Sequence, residues 1–121
     1  MPLVKVKYRN SAHERVADLL GRQLRRIVAA ALTCENPEGH LTAKDIDVEP
    51  LEMSPGLQTD YGFIIEVEAN EYPERRKNLD ERWEDIAVDL RQFFDHPGFG
   101  LETRPKAALW VKLFPAKWGD V

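Results

Sequence analysis

The chain has 121 residues, 43% of them hydrophobic, and sets 17 Lys and Arg against 21 Asp and Glu for a formal net charge of -4. That length suits a single domain over residues 1–121 with a real core, and basic residues scattered among acids argue against a nucleic-acid partner. The longest apolar run, IVAAAL at 27–32, is far short of the roughly 20 residues a membrane span needs; the N-terminus lacks a charged-then-apolar leader pattern, so a cytoplasmic protein is expected.

The first ten residues, MPLVKVKYRN, alternate from a proline onward, with Val4, Val6 and Tyr8 on one face and Leu3, Lys5 and Lys7 on the other. They predict a strand ending near Arg9. Pro2 at its head is tolerated because a strand's first residue can do without an N–H. Removal of Met1 would leave Pro2 as a secondary amine, a base no side chain provides.

NSAHERVADLLGRQLRRIVAAALT carries Val16, Leu19, Leu20, Ile27, Val28 and Ala31 on helical spacing, and Ser11 with Glu14 is a capping-box pair that marks the helix start. His13, in the first turn, is expected to face solvent. CENPEGH reads as a loop. Cys34, just past the helix, is expected to be a packed or idle thiol, and a single cysteine forms no internal disulfide. The three histidines show no paired ligand spacing, so no metal site and no cofactor are expected.

KDIDVEPL predicts a second strand with Ile46 and Val48 opposite Asp45, Asp47 and Glu49, closed by the Pro-Gly turn in EMSPGLQTD. YGFIIEVEAN predicts a third, with Phe63, Ile65 and Val67 on its apolar face. EYPERRKNLDERWEDIAVDLRQFF is a second helix opened by Pro73, with Leu79, Trp83, Ile86, Leu90 and Phe94 as its buried stripe. AALWVKLF is the last strand, running into the tail PAKWGDV.

Strand, helix, strand, repeated once, is an α+β pattern of two β-α-β units. Right-handed crossovers make the strands of each unit parallel neighbours in a four-stranded mixed sheet with both helices on one face. The other face presents Lys5, Lys7, Asp45, Asp47, Glu66, Glu68, Trp110 and Lys112. Two readings of that face stand open: a solvated surface of cross-strand ion pairs, or the lining of an interior shared by several subunits.

MPLVKVKY, DIDVEPLEM, DYGFIIEVEANEYPERR and LWVKLFPAKWG together resemble the tautomerase superfamily over nearly the whole chain. The third stretch is most like its 5-carboxymethyl-2-hydroxymuconate isomerase branch. The last strand and Trp-Gly tail are more like its macrophage migration inhibitory factor and malonate semialdehyde decarboxylase branches. The resemblance implies a homotrimer around a central channel, with a site beside each N-terminal proline. It implies that Pro2 is the general base interconverting keto and enol (or dienol) forms of a small 2-keto acid. Leu3, Phe63, Phe114 and Trp118 are candidate apolar walls. Arg75, Arg76, Lys112 and Arg9 are candidates to bind the substrate carboxylate, and Asn70 and Tyr72 to donate to an enolate. Two arginine positions of the 4-oxalocrotonate tautomerase branch fall on Ala12 and Asp47 here, and the malonate semialdehyde decarboxylase pair falls on Asn70 and Tyr72. Asp47 could instead activate water in a hydratase-like variant, although an ion pair with Lys5 or Lys7 is more economical. The alternative on the same scaffold is a non-catalytic, ligand-binding or structural oligomer, and a third possibility is a ferredoxin-like dimer outside the family.

Overall fold

A computed structural model describes residues 2–96, 103–115 and 119–121. The elements run β1 (Leu3–Tyr8), α1 (Glu14–Leu32), β2 (Asp47–Glu52), β3 (Phe63–Asn70), α2 (Pro73–Lys77), α3 (Leu79–Asp95) and β4 (Ala107–Phe114). The strands form one four-stranded sheet in the order β2-β1-β3-β4. β1 pairs parallel with β2 and antiparallel with β3, and β3 pairs parallel with β4. This is the expected α+β layout. A ferredoxin-like split β-α-β unit is excluded, because it would place another strand between β1 and β2, which here are hydrogen-bonded neighbours.

The alternation in sequence explains the layering. Val4, Val6, Phe63, Ile65 and Val67 are fully buried against Leu20, Leu24, Val28 and Ile86 of the helices, each such side chain contributing roughly 1.5–3 kcal/mol on removal from water. Gly21 lets α1 lie close on the sheet, since a Cβ there would come within 3.2 Å of Val48 Cγ1. Asp47, at the start of β2, donates its N–H to the Pro2 carbonyl, and Met53, just past its end, donates to the Tyr8 carbonyl. By alternation, Pro50 turns outward at the free edge, where its missing N–H costs no ladder bond.

Three local expectations change. The helix does not start at a Ser11–Glu14 box: Asn10 Oδ1 accepts the Ala12 N–H at 3.0 Å, residues 11–13 form a 3-10 turn, and α1 begins at Glu14. A reciprocal turn forms instead at Thr42, whose N–H donates to Asp45 Oδ2 at 2.7 Å. His13 is only partly exposed: its ring stacks on Phe63 at 5.1 Å, and its Nδ1 is buried without a partner among the described residues. The second helix is broken at Asn78 (φ -130°, ψ 39°) into α2 and α3. Leu79 and Trp83 are consequently only partly buried, whereas Ile86, Leu90 and Phe94 are core.

Candidate functional site

Pro2 is buried at the head of β1, and its carbonyl is held by the Asp47 N–H at 3.1 Å. Leu3 pairs with Asp47 on one side and Glu68 on the other, so Pro2 lies at the sheet end where β3 and β4 finish. Asn70 and Phe114 are register partners at that end, and Glu71 donates its N–H to the Phe114 carbonyl at 2.8 Å. The fold therefore brings Pro2, Leu3, Asn70 and Phe114 to one rim. Phe63 is not among them: it pairs with Tyr8 at the opposite end and packs between His13 and Phe94. Trp118 lies outside the described residues, as does Met1.

Most of the candidate cations are already engaged. Arg75 is 2% exposed, and donates from Nε to the Leu32 carbonyl at 2.8 Å, from Nη1 to Asn70 at 3.0 Å and from Nη2 to Gly39 at 3.3 Å. Burial pushes its pKa down, with Cys34 and Tyr72 opposing that shift. Arg82, which the sequence reading passed over, donates from Nη1 to the Ala31 and Thr33 carbonyls at 3.1 and 2.9 Å. These two arginines satisfy the free carbonyls at the C-terminus of α1 and oppose its negative dipole end. The guanidinium of Arg75 is thus engaged by three backbone carbonyls of the framework. Arg76, by contrast, is exposed and paired with Glu71 at 2.6 Å, and Arg9 donates to the Leu57 carbonyl at 2.6 Å. Tyr72 lays its ring against Arg75 and donates its hydroxyl to the Glu38 carbonyl at 3.3 Å. Cys34 is buried beneath them, its thiol donating to the Leu32 carbonyl at 3.7 Å.

The open face of the sheet centres on Glu66, an acid the sequence reading placed there without singling it out. Its carboxylate accepts from Lys7 Nζ at 2.9 Å and from Lys112 Nζ at 3.1 Å, and Lys112 also lies 4.0 Å over the Trp110 ring. The ion pair expected between Asp47 and Lys5 or Lys7 does not form among the described residues; Lys7 reaches across to Glu66 of β3 instead. The hydrogen bond from Lys7 holds the Glu66 carboxyl below its ordinary value of 4.5, burial opposes the shift, and Lys112 reinforces it. A carboxyl that is depressed when folded contributes stability above its unfolded pKa and loses it as pH falls through the folded value. Thermal stability is therefore expected to fall below about pH 4.5, and Glu66→Gln to flatten that acid limb; an unchanged limb in melting curves taken between pH 3 and 7 would remove Glu66 from the account.

Described clefts lie elsewhere. One of about 570 Å³ runs between α1 and β2 along Asp18, Arg22, Arg25, Asp47 and Pro50. Another of about 240 Å³ lies between α3 and β4, lined by Trp83, Leu90, Phe94 and Leu109. Neither is lined by Pro2.

No protein-family model matches the chain, and no curated protein matches it in sequence. In structure it is similar to a macrophage migration inhibitory factor-like protein from Entamoeba histolytica, with a TM-score of 0.57 over 99% of this chain and 95% of that one at 9% identity. A domain of unknown function, DUF1904, from Sebaldella termitidis aligns over 94% of this chain and 89% of that one, with a TM-score of 0.44 and 14% identity. The likeness to the first is one of fold. No described helix is long and apolar enough to cross a membrane.

Proposed function

We propose that the protein is a keto–enol tautomerase or isomerase of a small 2-keto acid, with the Pro2 nitrogen, freed by removal of Met1, as the general base. The observation that supports this best is the placement of Pro2 at the head of a central strand, on the fold shared with a macrophage migration inhibitory factor-like protein. A base must be held against the carbon acid it deprotonates. The ladder bond from Asp47 holds the residue through its carbonyl, and the pyrrolidine ring, which contains the N–Cα bond, fixes the direction in which the nitrogen's lone pair points.

In the proposed reaction the neutral prolyl nitrogen takes a proton from the carbon beside the substrate carbonyl and returns it to another atom of the enolate. Electron density moves onto the carbonyl oxygen and back. Asn70 is the donor proposed for that oxygen, and the Tyr72 hydroxyl joins it only by giving up its hydrogen bond to the Glu38 carbonyl. Arg76 is the cation proposed for the substrate carboxylate. It is available because an exposed ion pair such as Arg76–Glu71 is worth at most about 1 kcal/mol. Lys112 is a further candidate, already paired with Glu66, and Phe114 supplies an apolar wall. The three-fold assembly implied by the resemblance is a separate proposal, and the chemistry at Pro2 does not require it.

The test combines intact mass and activity on one sample. The fraction of chains lacking Met1 is expected to set the rate of phenylenolpyruvate and 2-hydroxymuconate ketonisation. Protein that retains Met1 carries an amide nitrogen at Pro2, with no basic lone pair, and is expected to be inactive. Equal activity with and without Met1 would favour the alternative, a non-catalytic oligomer that binds a ligand on this scaffold.

A further inference from the structure

Tyr8 ends β1 on the face that packs under α1. It is 8% exposed, yet its hydroxyl has no hydrogen-bond partner among the described residues. Three carboxylates face that hydroxyl. Glu52 is the register partner of Tyr8 in the parallel pairing of β1 with β2, so it stands on the same side of the sheet. Glu14 and Asp18 come from α1, one turn apart. Burial and then the charges of Glu14, Glu52 and Asp18 raise the pKa of the phenol. None of the three carboxylates makes a hydrogen bond or ion pair among the described residues, and Arg15 and Arg22, the cations nearest along α1, pair with none of them. Glu14 suits the positive end of α1, an effect that fades within the first turn. Asp18 lies beyond that turn and Glu52 is on a strand, so neither is accounted for in this way.

We propose that Tyr8, Glu14, Asp18 and Glu52 form a binding site for a small aliphatic polyamine. A protonated amine carries N–H donors and no acceptor, and donors are what these four side chains lack. The phenol oxygen accepts from one ammonium while its own proton goes to a carboxylate. Spacing selects the class of cation. Side chains one turn apart on a helix lie roughly 5–6 Å apart at Cβ, about the separation of two ammoniums joined by three or four methylenes. Glu14 and Asp18 therefore match consecutive charges of such a chain, and Glu52 adds a third negative charge from the strand. A bare metal ion fits less well, because among the described residues no three Asp, Glu, His or Cys side chains come close enough together to hold one. Tyr8 is packed into the core, which fixes where its hydroxyl points. All four residues belong to one chain, and Tyr8 lies at the opposite end of the sheet from Pro2. The site thus depends neither on the chemistry proposed at Pro2 nor on the number of copies that assemble.

Isothermal titration calorimetry of the full-length protein with spermidine, at low ionic strength where exposed charges are least screened, tests the proposal. Saturable binding of one spermidine per chain is expected. Tyr8→Phe removes the hydroxyl without changing the net charge, and is expected to raise the dissociation constant about fivefold. Asp18→Asn is expected to raise it by about the same factor. Asp89→Asn, the same change of charge on α3, is expected to leave it unaltered. Asp18 is exposed, so Asp18→Asn carries the test if Tyr8→Phe does not fold. Absence of binding by the parent protein would overturn the proposal, as would a dissociation constant that neither Tyr8→Phe nor Asp18→Asn changes. Equal weakening by Asp89→Asn and Asp18→Asn would also overturn it, leaving only the general attraction of cations to an acidic chain. Tighter binding of Mg²⁺ than of spermidine would do the same, and would assign the cluster to a hydrated divalent cation.

Discussion

Pro2→Ala is expected to lower the rate of keto–enol exchange by about 10² to 10⁴, the contribution of a positioned general base, while leaving the melting temperature within a few degrees of the parent. The substitution replaces a secondary amine whose lone pair is fixed by the ring with a primary amino group that turns freely about its N–Cα bond, so it disturbs both the base and its aim. The ladder bond that fixes this residue uses the carbonyl, which alanine retains, and the strand that follows is held on both sides by β2 and β3. Stability and catalysis are thereby separable at this position. The pH profile gives an independent check. The nitrogen acts as a base only when neutral, so kcat/KM is expected to rise with pH through the range in which the terminal amine loses its proton. Full activity in Pro2→Ala, or an ascending limb that survives it unchanged, would reject Pro2 as the base.

The layout of the chain was legible because its signals are local and repeated. Val4/Val6 and Phe63/Ile65/Val67 alternate with period two, and α1 carries an apolar stripe with period 3.6, so each element declared both its type and its buried face. What escaped was whatever depends on partners distant in sequence. Phe63 belongs to an alternating strand in either direction, and only the antiparallel register with β1 shows that it pairs with Tyr8, at the far end from Pro2. His13 follows a polar cap and looks exposed, yet the 3-10 turn after Asn10 rolls its ring onto Phe63. Glu66 was one acid among several on the open face until β1 and β4 placed a lysine on either side of it. The rim beside Pro2 was legible in part: Asn70 and Phe114 were placed there by the ends of β3 and β4. Arg75 was not, because the carbonyls it serves belong to a helix that ended some forty residues earlier, and a cation at a helix start reads the same whether it awaits a ligand or has found a backbone.

That distinction has a large consequence in stability. Arg75→Met is expected to destabilise the fold by about 3–5 kcal/mol, since methionine matches much of the buried stem but leaves the Leu32, Asn70 and Gly39 carbonyls without their donors at a site closed to water. In a domain of this size that corresponds to a fall in melting temperature of more than about 10 °C. Arg75→Lys is expected to recover only a fraction, because one ammonium on a flexible stem cannot reach three carbonyls set around a planar fork. Gly39 makes the site less forgiving still: a Cβ at that position would come within 2.8 Å of Cys34 Cβ, so the loop has little room to move into the gap. Arg76→Met, one residue along and exposed, removes an ion pair with Glu71 and is expected to cost at most about 1 kcal/mol. If Arg75 were instead the cation that binds substrate, the two variants would show the reverse pattern, with Arg75→Met stable and defective in KM. Equilibrium urea unfolding of the three variants, read beside their KM for phenylenolpyruvate, separates an arginine that holds the end of α1 from one that holds a carboxylate.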